Sequence, residues 1–173
     1  MKDKQPIKLL FTGPESTGKS TIASYVAEKW NLTLIKEYAR EYLQQKNDAY
    51  TKTDLLYIAK KHHQIVEEQA VENNILVLDT YLLNIKIWSE YKYGSCDSWI
   101  KNSINSLLIN HVFLTSPDVP WFYDPQRENK DNRSELFDIF QKELNRLNWP
   151  FTILDDDKDM REKQMDELVK QFN

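Results

Sequence analysis

Glycine and cysteine are scarce in this sequence, and long apolar runs are missing. Three of the 173 residues are glycine and one is cysteine. A single cysteine excludes an intramolecular disulfide framework and favours a reducing compartment, so we expect a cytoplasmic protein. The sequence has no run of about 20 apolar residues and no apolar signal region behind its first residues, so we expect neither a membrane span nor secretion.

A strong charge of either sign is also missing. The 23 basic and 27 acidic residues give a net charge of −4. This mild acidity argues against a general nucleic-acid binder. The shares of hydrophobic residues (40%) and charged residues (29%) are typical of a globular protein and exclude a disordered chain. The length favours a single domain over residues 1–173.

Five short apolar runs alternate with segments of helical periodicity. Such runs are typical of strands that are buried on both faces, so we expect an α/β fold with a five-stranded parallel sheet and helices on both faces. The predicted strands are 7–12, 32–35, 75–78, 111–115 and 151–154. The predicted helices are 19–30, 37–46, 53–73, 81–93, 98–109, 135–147 and 160–172.

Two of the three glycines lie in residues 13–20, which read Gly-Pro-Glu-Ser-Thr-Gly-Lys-Ser. This stretch fits the P-loop (Walker A) pattern, G-x-x-x-x-G-K followed by Ser or Thr, between a predicted strand and a predicted helix. Backbone N–H groups of such a loop bind phosphate, its lysine reaches the terminal phosphates and its hydroxyl holds Mg²⁺. We therefore predict a three-layer P-loop NTPase fold, with ATP bound by Gly13, Glu15, Ser16, Thr17, Gly18, Lys19, Ser20 and Thr21.

Other features select among the classes of P-loop protein. A guanine-reading N-K-x-D motif is missing, since the nearest string, residues 129–132, ends in Asn. The length argues against an AAA+ module with its helical lid domain. Small-molecule kinases fit the length.

Two carboxylates follow predicted strands at the edge where the P-loop lies. Asp79 ends the third strand, where P-loop proteins place an Asp that helps to hold Mg²⁺. Glu37 follows the second strand, where a substrate hydroxyl would meet the γ-phosphate, and Arg40 lies one helical turn further on. The alternatives are a helix cap for Asp79 and a charged helix start for Glu37 and Arg40.

The segment 117–133 is the longest irregular stretch, and we predict that it is a mobile lid. Its arginines, Arg127 and Arg133, would neutralise charge on the transferred group. The alternative is a solvated basic loop with Trp121 in the core. Trp88, on an aromatic-rich helix, would line a nucleoside pocket or belong to the core.

Together these motifs resemble the ribosylnicotinamide (nicotinamide riboside) kinase domain of NadR-type proteins. The resemblance covers roughly residues 7–170 and rests on residues 13–21, the E-Y-x-R-E-Y string at 37–42, the Asp-Thr pair at 79–80 and the segment 120–133. It implies Mg²⁺-assisted phosphorylation of a nucleoside 5′-hydroxyl by ATP, which converts nicotinamide riboside to nicotinamide mononucleotide. The implied catalytic residues are Lys19, Glu37, Asp79, Arg127 and Arg133, the metal ligands Ser20 and Asp79, and the substrate residues Glu37, Tyr38, Arg40, Trp88, Trp121 and Asp124.

Two positions depart from the family pattern. Lys36 stands where an aromatic residue usually precedes the E-Y-x-R-E-Y string, and Tyr81 stands where a second Asp usually follows the Asp-Thr pair. The phosphate-handling half of the pattern therefore matches better than the nucleoside-reading half.

Three functions stay open on the residues alone. They are a nucleoside kinase, a kinase for another small metabolite, and a non-enzymatic nucleotide-binding switch or adaptor. The carboxylates and the lid arginines favour a kinase, with a small-molecule partner and neither nucleic acid nor membrane. The sequence leaves open the choice of ATP or GTP, the choice of Glu37 or Asp79 as base, and the oligomeric state.

Overall fold

One sheet of five parallel strands forms the centre of the molecule. The computed structural model describes residues 5–46, 49–124, 126–154 and 157–172, without the side chain of residue 158. The strands are β1 (Ile7–Thr12), β2 (Thr33–Ile35), β3 (Ile75–Asp79), β4 (His111–Thr115) and β5 (Phe151–Leu154). They lie in the order β2-β3-β1-β4-β5, so β1 is the central strand. The predicted five-stranded parallel α/β fold is confirmed.

Helices connect the strands. Within the described ranges, no helix combines the length and apolar character that crossing a membrane requires. The helices of the described residues are α1 (Lys19–Trp30), α2 (Tyr38–Gln45), α3 (Lys52–Ala70), α4 (Leu82–Tyr93), α5 (Ser98–Ser106), α6 (Arg133–Leu147) and α7 (Lys158–Val169).

Several predicted boundaries differ from the structure: α3 ends at Ala70 instead of 73, and α7 spans Lys158–Val169 instead of 160–172. Two further differences are informative. Helix α5 ends three residues before the predicted end at 109, because Leu107 is extended and the apolar residues after it lead into β4. At the end of the predicted lid, residues 130–132 form one 3₁₀ turn and Arg133 begins α6, so the irregular segment is shorter than 117–133. Residue 125 of that segment, and both ends of the predicted domain, lie outside the described residues.

Apolar side chains cover both faces of the sheet. Leu9 and Phe11 of β1 face α1 and α7, whereas Leu10 faces the layer formed by α2 to α6. Phe11 stacks on Phe113 of β4, with ring centroids 4.7 Å apart. Because both faces are buried, the strands read as continuous apolar runs in the sequence.

The register of the strands brings their polar ends together at one edge. Phe11 of β1 pairs with Asp79 of β3, and Ile35 of β2 pairs with Leu78. The ladder continues for one residue, since the Thr80 N–H donates to the Phe11 carbonyl at 3.0 Å. The residues that follow β1, β2 and β3 therefore lie side by side at the carboxyl edge, where parallel sheets bind ligands.

Asp54 holds α2 against α3. Its carboxylate accepts hydrogen bonds from Tyr42 at 2.6 Å and from Lys46 at 2.5 Å, both at the α2 side. It also completes a capping box with Thr51 at the start of α3. These hydrogen bonds hold the pKa of Asp54 well below its usual range, and they join α3 to α2, which carries Arg40 and follows Glu37.

A substitution at Gly13 tests how closely the loop after β1 packs against the end of β4. Its φ is +137°, and an added Cβ would lie 2.6 Å from Thr115 Oγ1 and 2.8 Å from the Thr115 carbonyl oxygen. We expect Gly13→Ala to lower the free energy of unfolding by about 2–4 kcal/mol, because both backbone strain and overlap oppose it.

Gly94 provides the matched control for this substitution. Its φ is also positive, +69°, but an added Cβ would meet no described atom within 4 Å. Gly94→Ala should cost only about 1 kcal/mol, the strain of a left-handed residue. Equal losses for the two variants in urea unfolding would contradict the close contact at Gly13.

Candidate active site

The loop between β1 and α1 curls tightly against the end of β4. Ser16 and Gly18 both have positive φ, +56° and +81°. The Thr17 hydroxyl donates to the Pro14 carbonyl at 2.8 Å and contacts the Thr115 hydroxyl at 2.5 Å. This shape turns the loop backbone inward and leads directly into the N-terminus of α1, an arrangement that binds phosphate groups.

Lys19 lies inside the curl of this loop. Its Nζ donates to the Pro14 carbonyl oxygen at 2.6 Å, and the side chain is half-buried. Burial lowers the pKa of Lys19, while the carboxylates of Glu37, Asp79 and Glu15 oppose that shift. Three carboxylates and a second cation, Arg127, thus act on the Lys19 ammonium.

Asp79 and Ser20 form a small set of oxygen ligands beside Lys19. Asp79 is 5% exposed, and the Ser20 side chain lies within hydrogen-bonding reach of it. Burial raises the pKa of Asp79, opposed by Ser20 and Lys19. The Asp79 Oδ1 atom is buried with no hydrogen-bond partner among the described residues. An unpaired carboxylate oxygen next to a hydroxyl fits Mg²⁺, which takes few protein ligands and completes its shell with phosphates and water.

This set differs from a metal cage made of protein alone. The described part of the chain contains no group of three or more His, Cys, Asp or Glu side chains arranged to hold a metal. A hard cation at Asp79 and Ser20 would therefore depend on phosphate oxygens for further ligands.

Glu37 lies between β2 and α2, at the N-cap position of that helix. Its side chain is half-buried and makes no capping hydrogen bond, so its carboxylate is directed to other groups. Burial raises the pKa of Glu37, opposed by Lys19 and reinforced by Asp79. Glu37 lines the cavity described next, whereas Asp79 lies outside its lining residues.

A cavity extends from the P-loop across α2, α4 and α6. Near the loop its lining is polar, and further out it becomes apolar and aromatic. A cavity of this composition, with a few polar groups placed among apolar walls, is typical of a small-molecule site. Besides residues 13–21, the lining consists of Glu37, Ala39, Arg40, Leu43, Asn84, Ile87, Trp88, Tyr91, Gln126, Arg127, Asn129, Leu136 and Phe140.

The segment after β4, described at residues 117–124 and 126–132, lies across the P-loop, and Glu15 is its main attachment. The Glu15 carboxylate accepts hydrogen bonds from the backbone N–H groups of Glu128 and Asn129, at 2.9 and 3.0 Å, and from the Asn129 amide at 3.1 Å. Ser16 accepts a further hydrogen bond from the Phe122 N–H at 2.9 Å. Glu15, for which the sequence predicts ATP binding, thus also holds this segment, to which we refer as the lid.

The two predicted lid arginines have different surroundings. Arg127 lines the cavity and donates to Ser16 Oγ at 3.2 Å. Arg133 donates to the Val119 carbonyl at 2.9 Å and to the Ser16 carbonyl at 3.4 Å, and its guanidinium lies 5.6 Å from the Trp121 ring centroid. Arg133 therefore holds the base of the lid and is absent from the cavity lining, unlike Arg127.

The predicted substrate residues divide in the same way. Glu37, Arg40 and Trp88 line the cavity; Tyr38, Trp121 and Asp124 do not. Asp124 instead pairs with Arg40, Oδ2 to Nη1 at 2.9 Å. The Gln126 N–H and Arg40 hold the pKa of Asp124 below its usual range. This ion pair connects the lid to α2.

Several site residues have no motif in the sequence. Asn84 accepts a hydrogen bond from the Thr12 hydroxyl at 2.7 Å, and its place in the first turn of α4, shortly after β3, is the signal that could have marked it. Arg161 of α7 donates to the Thr17 carbonyl at 2.7 Å and braces the P-loop from 144 residues away. Tyr91, Gln126 and Asn129 reach the cavity through long-range packing, for which the sequence holds no local signal.

Comparison with known proteins gives the family. A family model described as an AAA domain matches residues 8–163. The chain belongs to this family. The length argument against AAA+ modules was too broad, because it rested on a helical lid domain that the described residues of this family member do not include.

The comparison also confirms the resemblance to NadR. The trifunctional NAD biosynthesis/regulator protein NadR of Escherichia coli is 26% identical over 168 residues, which cover 92% of this chain and 41% of that protein. Crystal structures of NadR in complex with NR, and with NAD and AMP-PNP, match with TM-scores of 0.78 and 0.76 at 18% identity. They cover 95% of this chain and 49% of theirs. The chain thus spans less than half the length of the NadR proteins that it matches.

Another solved structure shares the fold along its whole length. Thymidylate kinase from Ehrlichia chaffeensis matches with a TM-score of 0.66 and 16% identity, covering 98% of this chain and all of the kinase. The predicted three-layer P-loop NTPase fold is confirmed.

The contact between Glu15 and the lid can be tested by amide hydrogen exchange. We expect Glu15→Ala to speed exchange at the Glu128 and Asn129 amides by about tenfold or more, because each loses a hydrogen bond to a charged acceptor. Glu28→Ala, at an exposed carboxylate on α1, is the control and should leave both amides unchanged. Unchanged exchange in Glu15→Ala would contradict the attachment.

Proposed function

We propose that this protein is an ATP-dependent kinase that phosphorylates a nucleoside 5′-hydroxyl, and that nicotinamide riboside is its acceptor. One observation carries the proposal: Lys19 of the P-loop and the carboxylate of Glu37 face the same cavity, whose far wall is aromatic and apolar. A switch protein needs the phosphate site alone. A kinase needs a second compartment that opens beside the γ-phosphate, and this cavity supplies it.

The P-loop side would bind the phosphates of ATP. The loop backbone and the N-terminus of α1 supply N–H donors, and Lys19 would move from the Pro14 carbonyl to the terminal phosphates. Arg127 faces the same space from the lid and would stabilise charge on the transferred group. Ser20 and Asp79 would hold Mg²⁺, which supplies further charge neutralisation at the phosphates.

Glu37 is the group best placed to receive the acceptor's proton. In the proposed reaction the 5′-oxygen forms a bond to the γ-phosphorus and the bond from phosphorus to the bridging oxygen of ADP breaks. The hydroxyl proton goes to the Glu37 carboxylate. Asp79 is the weaker candidate for this role, because it lies outside the cavity lining and beside Ser20. Phosphoryl transfer requires a positioned base more than a strong one.

The acceptor compartment suits a nucleoside. The side chains of Trp88, Tyr91 and Phe140 form an aromatic wall, against which a planar base can stack. Arg40 and Asn84 line the same cavity and would offer polar partners to ribose hydroxyls.

The choice of nicotinamide riboside rests on the relatives. NadR has been crystallised in complex with NR and with NAD and AMP-PNP, and the E. coli protein is named for NAD biosynthesis. As part of the proposal, we expect this chain to use the same acceptor, with ATP as phosphate donor, and to act in NAD biosynthesis in the cytoplasm. We expect neither a nucleic-acid nor a membrane partner.

An acceptor panel tests the proposal. ADP release from ATP and Mg²⁺ should rise well above the ATP-only background with nicotinamide riboside, and Lys19→Ala should reduce that turnover by roughly a hundredfold or more, because a transition-state charge partner is lost. Lys29→Ala, at an exposed lysine of α1 that pairs with Asp166, should retain turnover. If ADP release rises only with a different nucleoside, that nucleoside replaces nicotinamide riboside as the acceptor. If the protein binds ATP but no acceptor raises ADP release, the kinase proposal is contradicted.

Glu37→Gln tests the proton acceptor. We expect kcat to fall by about 10²–10⁴ with little change in ATP affinity, since a positioned base acts in the transition state. The pKa of Glu37 is raised above its ordinary 4.5, so wild-type kcat should fall as the pH drops through that raised value and the carboxylate takes up a proton. The fall should be missing in Glu37→Gln; if it persists there, Asp79 is the base.

Glu37→Gln should lower kcat but raise the free energy of unfolding at neutral pH. A carboxyl whose pKa rises on folding stabilises the folded state below its unfolded pKa and loses that contribution as the pH rises through the folded pKa. Glu37→Gln should therefore be more stable than the wild type at neutral pH, and the difference should vanish in acid, as measured by urea unfolding. A less stable variant at neutral pH would make Glu37 a structural residue.

A further inference from the structure

Tyr50 lies outside the cavity, directly behind its aromatic wall. It precedes α3, and its ring meets the Trp88 ring edge-on, with centroids 4.6 Å apart. The Tyr50 hydroxyl accepts hydrogen bonds from Trp88 Nε1 at 2.6 Å and from Lys92 Nζ at 2.7 Å, and it donates to Glu128 Oε2 at 3.0 Å. Those three bonds join the loop before α3, helix α4 and the lid.

These bonds use the full capacity of the Tyr50 hydroxyl. A phenol has one donor and two acceptor sites, and each is occupied by a different partner. The position of the Tyr50 hydroxyl therefore fixes both the direction of the Trp88 indole N–H and the position of the Glu128 carboxylate. Lys92 strengthens the cluster, because its Nζ lies 4.0 Å from the Tyr50 ring centroid and 2.9 Å from Glu128 Oε1.

The far end of this cluster reaches the P-loop. The backbone N–H of Glu128 donates to Glu15 Oε2 at 2.9 Å, so a single lid residue binds Tyr50 through its side chain and Glu15 through its main chain. A continuous series of contacts thus runs from Trp88, on the acceptor wall, through Tyr50 and Glu128 to Glu15, beside the phosphate site.

We propose that Tyr50 is a positioning residue that couples the acceptor wall to the lid. By holding Trp88 in place and binding Glu128, its hydroxyl lets acceptor binding and lid closure stabilise each other. This inference rests on the proposed function in one respect, the placement of the acceptor against Trp88. The lid half of the inference stands on the Tyr50–Glu128 contact alone.

Tyr50→Phe removes the hydroxyl and keeps the ring. We expect KM for the nucleoside acceptor to rise by about five- to tenfold, the size of one lost hydrogen bond. KM for ATP should change much less, because the P-loop itself is intact. Trypsin should cut the lid after Arg127 or Lys130 several times faster in ligand-free Tyr50→Phe than in the wild type. Tyr25→Phe removes a hydroxyl that binds Lys29 on α1, and it should change neither measurement.

A second variant separates coupling from folding. Glu128→Gln weakens the hydrogen bond between the Tyr50 hydroxyl and the lid, and it keeps the shape of the Glu128 side chain. If Tyr50 acts through Glu128, the variant that carries both Tyr50→Phe and Glu128→Gln should be cleaved no faster than the more sensitive of the two single variants. The reason is that both substitutions remove the same interaction. Additive effects of the two substitutions on lid cleavage would overturn the inference. So would impaired kinetics with both ATP and acceptor that accompany a loss of thermal stability, because Tyr50 would then be a packing residue.

The outcomes for the two proposals are distinguishable. Absence of acceptor-dependent turnover in the wild type would sink the kinase proposal. Lid cleavage, measured without any ligand, would still decide the role of Tyr50. Identical cleavage rates and acceptor KM values in Tyr50→Phe and Tyr25→Phe would overturn the positioning role while leaving the kinase proposal intact.

Discussion

The P-loop passes so close to the end of β4 that the backbone of Gly13 lies against Thr115. This contact fixes where the loop leaves the sheet, and the turn at Gly18 then leads it into α1. Lys19 and Ser20 take their positions from that path. Because β3 lies beside β1 and β2 lies beside β3 in the sheet, the same constraint sets the phosphate loop near Asp79 at the end of β3 and Glu37 after β2.

Burial gives those carboxylates their chemical character. Glu37 and Asp79 both have raised pKa values because their surroundings disfavour charge, and the ammonium of Lys19 only partly offsets this. Such a site costs stability, and a site of this kind is typical of function rather than of scaffold. The two carboxylates also differ: Glu37 faces the acceptor cavity, while Asp79 lies beside Ser20 where a cation would sit. In the proposed reaction, these separate surroundings would assign proton transfer to Glu37 and metal binding to Asp79.

Local signals account for the parts of this site that the sequence could predict. The P-loop, the strands and the carboxylates that follow them depend on short patterns, and the strand ends set their common edge. The attachment of Glu15 to the lid could not be predicted, because its partners are backbone N–H groups 113 and 114 residues away. The position of Arg133 at the start of α6, where it donates to main-chain carbonyls, likewise depends on contacts that no local sequence pattern indicates.

The central claim is that the P-loop and the aromatic wall belong to one site, in which Glu37 meets the acceptor. The most direct measurement is a crystal structure with AMP-PNP and nicotinamide riboside bound together. The account predicts the base against Trp88 and the 5′-hydroxyl within hydrogen-bond distance of the Glu37 carboxylate, on the γ-phosphate side. A nucleoside bound elsewhere, or with its 5′-hydroxyl turned away from Glu37, would contradict it.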